Sequence, residues 1–577
     1  MKFRYIVLCV LAALSGMMSS CEKDNPDDKK PNTNTPVTPK PPQTGTTDPY
    51  ADLSLYQPLK SYVDRDAYPS FKLGVAVDGQ DSRLYSLAGE NFDEMTAGNA
   101  MKYASVVRSD GTMNFTGVTN FLNAAESKGL TVYGHTLAWH SQQQPAYLNS
   151  LIQDKYVEIP GDPGEMALVE SDFNDGRHPF IGWGNNMSIS VSDGAFKVTN
   201  PSVMQSWEVQ FAYDVSKAFV NGQEYTLSFR IKGSASGKLG AGLQILDGYK
   251  SAGEFPDTQF GTDWKQVEIK CKCSAAGATR LVFSLGTFAG DIYIDDFKFL
   301  TVGNKYEVVA MTPEEKKAAL TAEMERWIKG MMEVTATRVS TWDVVNEAIA
   351  GADYDRDGYY DLQTGQAGDM NNFFWQDYMG SIDYVRVAVA SARKYYAECG
   401  GTKPLLLFIN DYNLESDWDD NKKLRSLIHW IEKWESDGVT KIDGIGTQMH
   451  ISYYENPTTQ ANKEKHVVKM LELMAATGKL VKISELDMGY VNNQGTTLKT
   501  SELSERQHKS MADYYKFIVS KYLEIVPPEQ QYGITQWCPT DSPENSGWRV
   551  GEPTGLWDAN YNRKPAYVGY VLGLTGK

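Results

Sequence analysis

Residues 405–409 read LLLFI, and the run ends on Asn410 and Asp411. Five apolar residues in succession, without polar alternation, suit a strand covered on both faces, as in a parallel sheet clad by helices. The strand is read as Pro404–Asp411. Runs of similar character lie at Phe71–Val77, Phe92–Thr96, Thr131–Leu137, Arg338–Asn346, Lys441–His450, Leu480–Asp487 and Gln531–Trp537. Helical patterns separate them. Eight β-then-α units predict an α/β fold, a closed (β/α)8 TIM barrel. An open doubly wound sheet is the alternative, but no Gly-rich phosphate turn follows the first strand.

The alternation breaks between Asp154 and Tyr306. Tyr225, Leu227, Phe229 and Ile231 alternate along one face, as do Val267, Ile269 and Cys271, then Leu281, Phe283 and Leu285. Turn clusters such as Ser192-Asp193-Gly194 punctuate them. This reads as an all-β sandwich, residues 154–306, inserted in the third βα connection of a barrel formed by residues 51–153 and 307–577. Thr312-Pro313-Glu314-Glu315 supplies an N-cap, a Pro at the first helical position and a capping-box Glu, so a helix resumes there. Such an insertion is tolerated when the inserted domain's ends lie close together.

Lys2 and Arg4 precede an apolar run, Tyr5–Leu14, too short to span a membrane, and residues 1–20 read as a signal peptide. Met18-Ser19-Ser20-Cys21 resembles a bacterial lipobox, with Met18 in place of the usual Leu. That likeness implies lipidation at Cys21, and the acidic residues that follow (Glu22, Asp24, Asp27, Asp28) resemble a surface-export signal of outer-membrane lipoproteins. The expectation is an exported protein, lipid-anchored to the outer membrane and facing the cell surface. Residues 21–50 are rich in Pro, Thr, Lys and Asp and read as an extended stalk.

The formal net charge is −17, with no basic stripe, which argues against nucleic acid as a partner. Aromatics make up 12% of residues, an excess that suits stacking of sugar rings, although most aromatics fill cores. Cys271 and Cys273 lie two apart on one strand face and are poorly placed to bridge each other. No metal-ligand spacing is present.

Polar residues concentrate where the strands end. The third closes on GHTLAWH (His135, Trp139, His140), the fourth on WDVVNEA (Asn346, Glu347) and the fifth on INDYN. The sixth closes on GTQMH (Gln448, His450), the seventh contains ISELDM (Glu485, Asp487) and the eighth closes on Trp537. The fold places its active site at these ends, whereas charge inside a barrel is rare. Breaking a glycosidic bond takes a proton donor and a facing carboxylate, about 5–5.5 Å apart in a retaining enzyme. Glu347 and Glu485, on opposite strands, meet that description. Repulsion from ionised Glu485 would raise the pKa of Glu347 and keep it protonated.

In order and content, WDVVNEA, GHTLAWH, DGIGTQMH and ISELDM resemble glycoside hydrolase family 10, the retaining endo-1,4-β-xylanases. The likeness covers the barrel on both sides of the insert. It implies xylan as substrate, Glu347 as acid/base, Glu485 as nucleophile, and support from Asn346 and His450, with no cofactor for catalysis. It further implies substrate contacts from Asn99, Lys102, His135, Trp139, His140, Gln448, Trp537 and Trp548, with Tyr412 and Asn413 on the aglycone side. Gly98 stands where the family carries a Glu. One hydrogen bond to the distal glycone sugar is thereby put in question, and the missing side chain leaves room for a decorated xylose. Cys538 replaces a usual Gly, and Asp541–Gly547 is lengthened. A related glycosidase acting on β-glucan and a catalytically dead glycan-binding lipoprotein are the alternatives; both carboxylates are present, against the second.

The insert opens on SDFNDG and GWG and closes on DIYIDDFKF, resembling carbohydrate-binding modules of the family 4 and 22 group. That implies xylan binding, with Trp183 and Trp207 for ring stacking and Gln210 and Tyr249 lining a cleft. Trp264 reads as core. Asp172, Asp175, Asp295 and Asp296 are candidate ligands for a structural calcium, or turn caps.

Overall fold

The computed structural model describes residues 40, 48–79, 81–158, 164–303, 306–365, 369 and 371–576. The signal segment, Cys21 and nearly all of the stalk lie outside the described residues. Among the described residues no helix is long and apolar enough to cross a membrane.

Eight parallel strands form the first unit: β1 (Lys72–Val77), β2 (Glu94–Ala97), β3 (Thr131–Ala138), β4 (Thr341–Asn346), β5 (Leu406–Asp411), β6 (Gly444–Thr447), β7 (Leu480–Val491) and β8 (Gln531–Gln536). Each pairs with its neighbours in sequence order, β8 pairs with β1, and β6 pairs with β7 from Gly444↔Leu480 to Thr447↔Ile483, so the sheet closes into a barrel. The strands are buried almost without interruption because side chains meet either the barrel interior or the surrounding helices. Where the barrel is tightest only glycine fits. A Cβ on Gly74 would lie 2.3 Å from Thr535 Oγ1, and one on Gly134 would lie 2.1 Å from the Trp342 ring.

The helix Pro313–Thr335 carries the capping box read from the sequence. Thr312 Oγ1 accepts from the Glu315 amide at 3.2 Å, and Glu315 Oε2 accepts from the Thr312 amide at 2.9 Å. The helix docks through Trp327, fully buried, whose Nε1 donates to the Leu137 carbonyl at 2.7 Å.

The barrel interior is charged, contrary to the expectation that charge would be confined to the strand ends. Glu94 is 1% exposed and is met by Lys72 at 2.6 Å, Lys482 at 3.3 Å and the Tyr532 hydroxyl at 2.7 Å. Lys482 lies 3.2 Å from the centroid of Tyr133, whose hydroxyl donates to buried Asp343. Asp343 in turn contacts His135 Nδ1 at 2.8 Å. Opposite charges in one buried column compensate one another, which a lone buried ion could not achieve. Burial drives the Lys482 pKa down to about 8 against the pull of Glu94 and Asp343.

Between β3 and β4 the chain forms two further antiparallel sheets. One contains Ser188–Ser192, Ala195–Asn200, Gly290–Gly303, Glu224–Gly233 and Lys265–Lys272, with Gly164–Ser171 beside Gly290–Gly303. The other contains Ile181–Trp183, Gln210–Asp214, Arg280–Ser284, Gly237–Ile245 and Lys250–Glu254, with Thr258–Phe260 beside Gly237–Ile245. Their shared core is aromatic, with Phe211 stacked on Phe283 at 4.6 Å and Phe180 edge-on to Phe297 at 5.2 Å. Strands Lys155–Glu158 and Tyr306–Val309 pair antiparallel, so the chain enters and leaves this unit side by side. Trp264, read as core, is instead 37% exposed beneath Arg230 and Lys232, whose cations lie 5.2 and 4.9 Å from its ring. Its stretch alternates as a strand should, but its own position falls on the solvent face.

Replacing Lys482 with Met should leave Glu94 and Asp343 undercompensated and destabilise the barrel by about 3–5 kcal/mol, the cost of breaking a buried pair. Urea unfolding followed by tryptophan fluorescence checks this; an unchanged midpoint would show that the column contributes no net stability.

Candidate active site

Glu347 and Glu485 both sit at the mouth of the barrel, where the ladder is irregular. The register of β4 against its neighbours shifts between Asp343 and Val345, and that of β7 against β8 shifts between Ile483 and Leu486. Such irregularities re-aim side chains at strand ends. Glu347 itself has φ +53°.

The two carboxylates are differently held. Glu347 is half-buried. Its Oε2 accepts from Trp139 Nε1 at 3.0 Å, and its Oε1 accepts from Gln448 Nε2 at 2.9 Å and Asn346 Nδ2 at 3.4 Å. Its pKa is raised, first by burial and then by the charges of Asp411 and Glu485, against the hydrogen bonds from Gln448 and Trp139. Repulsion from Glu485 does raise it, as expected from the sequence, but it is not the leading cause. Desolvation leads, because the site is walled by side chains rather than open to water.

Glu485 is 4% exposed. Its Oε1 accepts from Asn410 Nδ2 at 3.0 Å, and its Oε2 lies 3.1 Å from His450 Nε2. Burial pushes its pKa up. The His450 hydrogen bond, with the charges of His135, His450 and Lys102, outweighs burial and holds it below the usual range. The two glutamates are therefore pushed apart, one toward the acid and one toward the carboxylate.

His450 lies between two anions. Its other nitrogen, Nδ1, is 3.0 Å from Asp487 Oδ2. Burial lowers its pKa, but Asp487 and Glu485 raise it to about 10, so the ring is an imidazolium at neutral pH. Asp487 is in turn fixed by Arg549 Nη1 at 2.6 Å and Trp548 Nε1 at 2.8 Å, with Cys538 Sγ 3.7 Å away. The residues after the eighth strand thus close over the back of the His450 ring, and Trp548, 43% exposed, meets it edge-on at 4.6 Å. Arg549 escaped the sequence reading because a lone Arg in a loop carries no spacing signal.

Asn410 was also missed, although INDYN was singled out. Its Nδ2 donates both to Asn346 Oδ1 at 2.9 Å and to Glu485 Oε1 at 3.0 Å, so it joins the Glu347 side of the site to the Glu485 side. Its place at the fifth strand's end, level with Asn346 in the ladder, was the available signal.

The remaining sequence candidates fall around this pair. Lys102 is buried and lies 5.0 Å from the Trp139 ring. Burial lowers its pKa against the pull of Glu485, Asp78 and Glu347. Asn99 Oδ1 accepts from Lys102 Nζ at 3.4 Å. His140 stacks on Phe374 at 5.0 Å, and burial together with Lys423 lowers it to about 4, so it is neutral. His135 and His450 both meet the Trp537 ring edge-on, at 5.6 and 6.1 Å. Tyr412 covers Lys423, which is bonded to buried Asp411 at 2.8 Å. Asn413 adopts a left-handed φ of +58° beside it.

The room expected over Gly98 is not there. A Cβ on Gly98 would lie 2.3 Å from Asp78 Oδ2 and 2.7 Å from its Cγ, so Asp78, one residue past β1, fills that space. Asp78 Oδ2 also accepts from Asn99 Nδ2 at 3.0 Å.

In the sandwich, Gln210 and Tyr249 share a cleft of about 460 Å³ with Gln244, Glu254 and Asp257. Tyr249 is 71% exposed, and Gln210 donates to Ser284 Oγ at 2.9 Å. Trp183 and Trp207 are not among the residues lining it. Trp183 lies beneath Arg280 at 5.2 Å, and Trp207 is exposed on a short 3-10 turn. The four acidic calcium candidates are engaged separately. Asp295 and Asp296 both pair with Arg230, Asp175 with Arg177, and Asp172 accepts from the Asn174 amide. Among the described residues the one cluster of three acidic ligands is Asp353, Asp355 and Asp361, on the barrel, where Asp353 is paired with Lys422 at 2.8 Å.

Comparison with known proteins matches residues 63–159 and 305–572, well over half of the chain, to glycosyl hydrolase family 10, and residues 166–287 to a carbohydrate binding domain. The chain is 24% identical over 539 residues to Endo-beta-1,4-xylanase Xyn10C of Cellvibrio japonicus, covering 89% of this chain and 57% of that protein. It is 30% identical over 265 residues to Endo-1,4-beta-xylanase A of Halalkalibacterium halodurans, covering 44% of this chain and 58% of that protein. The chain therefore spans less than two thirds of these relatives' length. Its fold is similar to that of native xylanase10C from Cellvibrio japonicus, with TM-score 0.51 and 20% identity over 89% of this chain and 72% of that one.

Carboxyl-carbon NMR of the labelled protein should show Glu347 titrating above, and Glu485 below, the ordinary glutamate range. Gln448→Leu removes a hydrogen bond that favours the ionised form, so it should move Glu347 further up and leave Glu485 nearly in place. Coincident midpoints for the two glutamates would contradict the geometry.

Proposed function

We propose that this chain, which belongs to glycosyl hydrolase family 10, cleaves internal β-1,4-xylosidic linkages of xylan with retention of anomeric configuration. The observation that carries the reading is the divided environment of the two glutamates. Glu347 is held toward its protonated form and Glu485 toward its ionised form, with Asn346 and Asn410 joining them. Glu347 donates its proton to the glycosidic oxygen as Glu485 attacks the anomeric carbon. The carbon–oxygen bond to the leaving sugar breaks, and a glycosyl ester forms on Glu485. That ester carries no charge, so its repulsion on Glu347 falls, and Glu347, now ionised, takes a proton from water. The water oxygen displaces Glu485 and completes the cycle. Donor and nucleophile are both side chains, and the chemistry needs no cofactor.

Xylan as the substrate is supported by the xylanase activity of the relatives above and by the family-like motifs around Asn99, Lys102, His140 and Gln448. We assign polysaccharide binding to the inserted domain, with the polar cleft at Gln210 and Tyr249 as its site. Export and lipid anchoring at Cys21, placing the enzyme on the outer surface, rest on the sequence pattern of residues 1–28 alone.

Glu347→Gln and Glu485→Gln should each lower turnover of unactivated xylan on the order of a hundredfold or more, the usual scale for losing a positioned acid, base or nucleophile. Reducing-sugar release from xylan, with carboxymethylcellulose as the control polymer, measures this. Near-normal turnover by either variant, or a preference for the control, would overturn the assignment.

A further inference from the structure

Gly98 and Asp78 are sterically coupled. A Cβ at position 98 would sit 2.3–2.7 Å from the three terminal atoms of the Asp78 side chain. Those distances lie inside van der Waals contact, so a side chain at 98 and this position of the Asp78 carboxylate exclude each other. The carboxylate is also fixed from a second side. Asn99 Nδ2 donates to its Oδ2 at 3.0 Å, and Asn99 Oδ1 accepts from Lys102 Nζ at 3.4 Å. Lys102 in turn lies within the electrostatic reach of Glu485 and Glu347. Asp78, Asn99 and Lys102 thus form a polar line that starts at the exposed rim and runs inward to buried Lys102. Along it a carboxylate, whose pKa burial raises against the pull of Lys102 and Asn99, stands next to an amide and an amine that donate. A sugar hydroxyl both donates and accepts, and suits such a mixed pair.

We infer that Asp78, projecting from the end of the first strand, supplies the carboxylate that binds a hydroxyl of the glycone sugar beyond the cleaved unit, and that Gly98 is small to admit it. The inference rests on the proposed reading of the site as a glycosidase. It assigns specificity to a residue outside the motifs that mark the family likeness. The carboxylate approaches the sugar from the end of β1, while Asn99 and Lys102 approach from the residues that follow β2.

Two aryl glycosides separate this role from a structural one. Aryl β-xylobioside places a sugar in the distal glycone position, whereas aryl β-xyloside does not. In the full-length protein, Asp78→Ala should lower kcat/KM on the xylobioside about tenfold to a hundredfold, the worth of one hydrogen bond to a charged group, and change it less than about threefold on the xyloside. Gly98→Ala, which displaces Asp78 without removing it, should give the same selective loss. Calorimetric binding of xylobiose should weaken in both variants by the same factor. Equal losses on the two glycosides would show a structural role, and an unchanged xylobioside rate with unchanged xylobiose binding would show no contact; either overturns the inference. A wild-type protein that neither cleaves the glycosides nor binds xylobiose would instead bring down the glycosidase reading, and this inference with it.

Discussion

The site depends on one ring held between two anions. His450 reaches Glu485 with one nitrogen and Asp487 with the other, at 3.1 and 3.0 Å. A buried carboxylate ordinarily takes up a proton, because its charge is costly to desolvate. Glu485 stays ionised because an imidazolium lies against it, and the imidazolium persists because Asp487 stabilises it from behind. Asp487 needs Arg549 and Trp548 for the same reason. The loop after the eighth strand is therefore part of the electrostatics of Glu485.

Glu347 experiences the opposite balance. Its partners Trp139 and Gln448 are neutral donors, too weak to offset burial, and the charges nearest to it in effect, Asp411 and Glu485, are negative. The same barrel mouth thus raises the pKa of one glutamate and lowers that of the other, with the His450 cation set against Glu485. Lys423 is bonded to Asp411 and covered by Tyr412.

Much of this was legible in the sequence because barrel strands announce themselves as short apolar runs with polar residues at one end. LLLFI at 405–409, WDVVNEA at 342–348 and ISELDM at 483–488 placed their strands and the two glutamates together. The capping box at Thr312 was legible because its chemistry is local. What was not legible depends on distant partners. Glu94, Lys72, Lys482 and Asp343 look like solvent-exposed charges in isolation, and only barrel closure brings them into one column. Asp78 follows the first strand without a motif, and its meaning comes from Gly98, twenty residues later on the next strand. Trp264 shows the complementary error, since alternation gives the faces of a strand without saying which face meets water.

The central claim is that Glu485 is the group that becomes covalently attached to the sugar. A 2-deoxy-2-fluoro-β-xylobioside with a good leaving group slows both chemical steps, breakdown of the ester most, and lets the glycosyl-enzyme accumulate. Mass spectrometry of the intact protein and of its peptides then locates the added sugar. The account predicts one difluoro-free, monofluorinated xylobiosyl unit per chain, on the peptide bearing Glu485, and none in Glu485→Gln. A label on any other residue, or no label from a protein that still hydrolyses xylan, would contradict it.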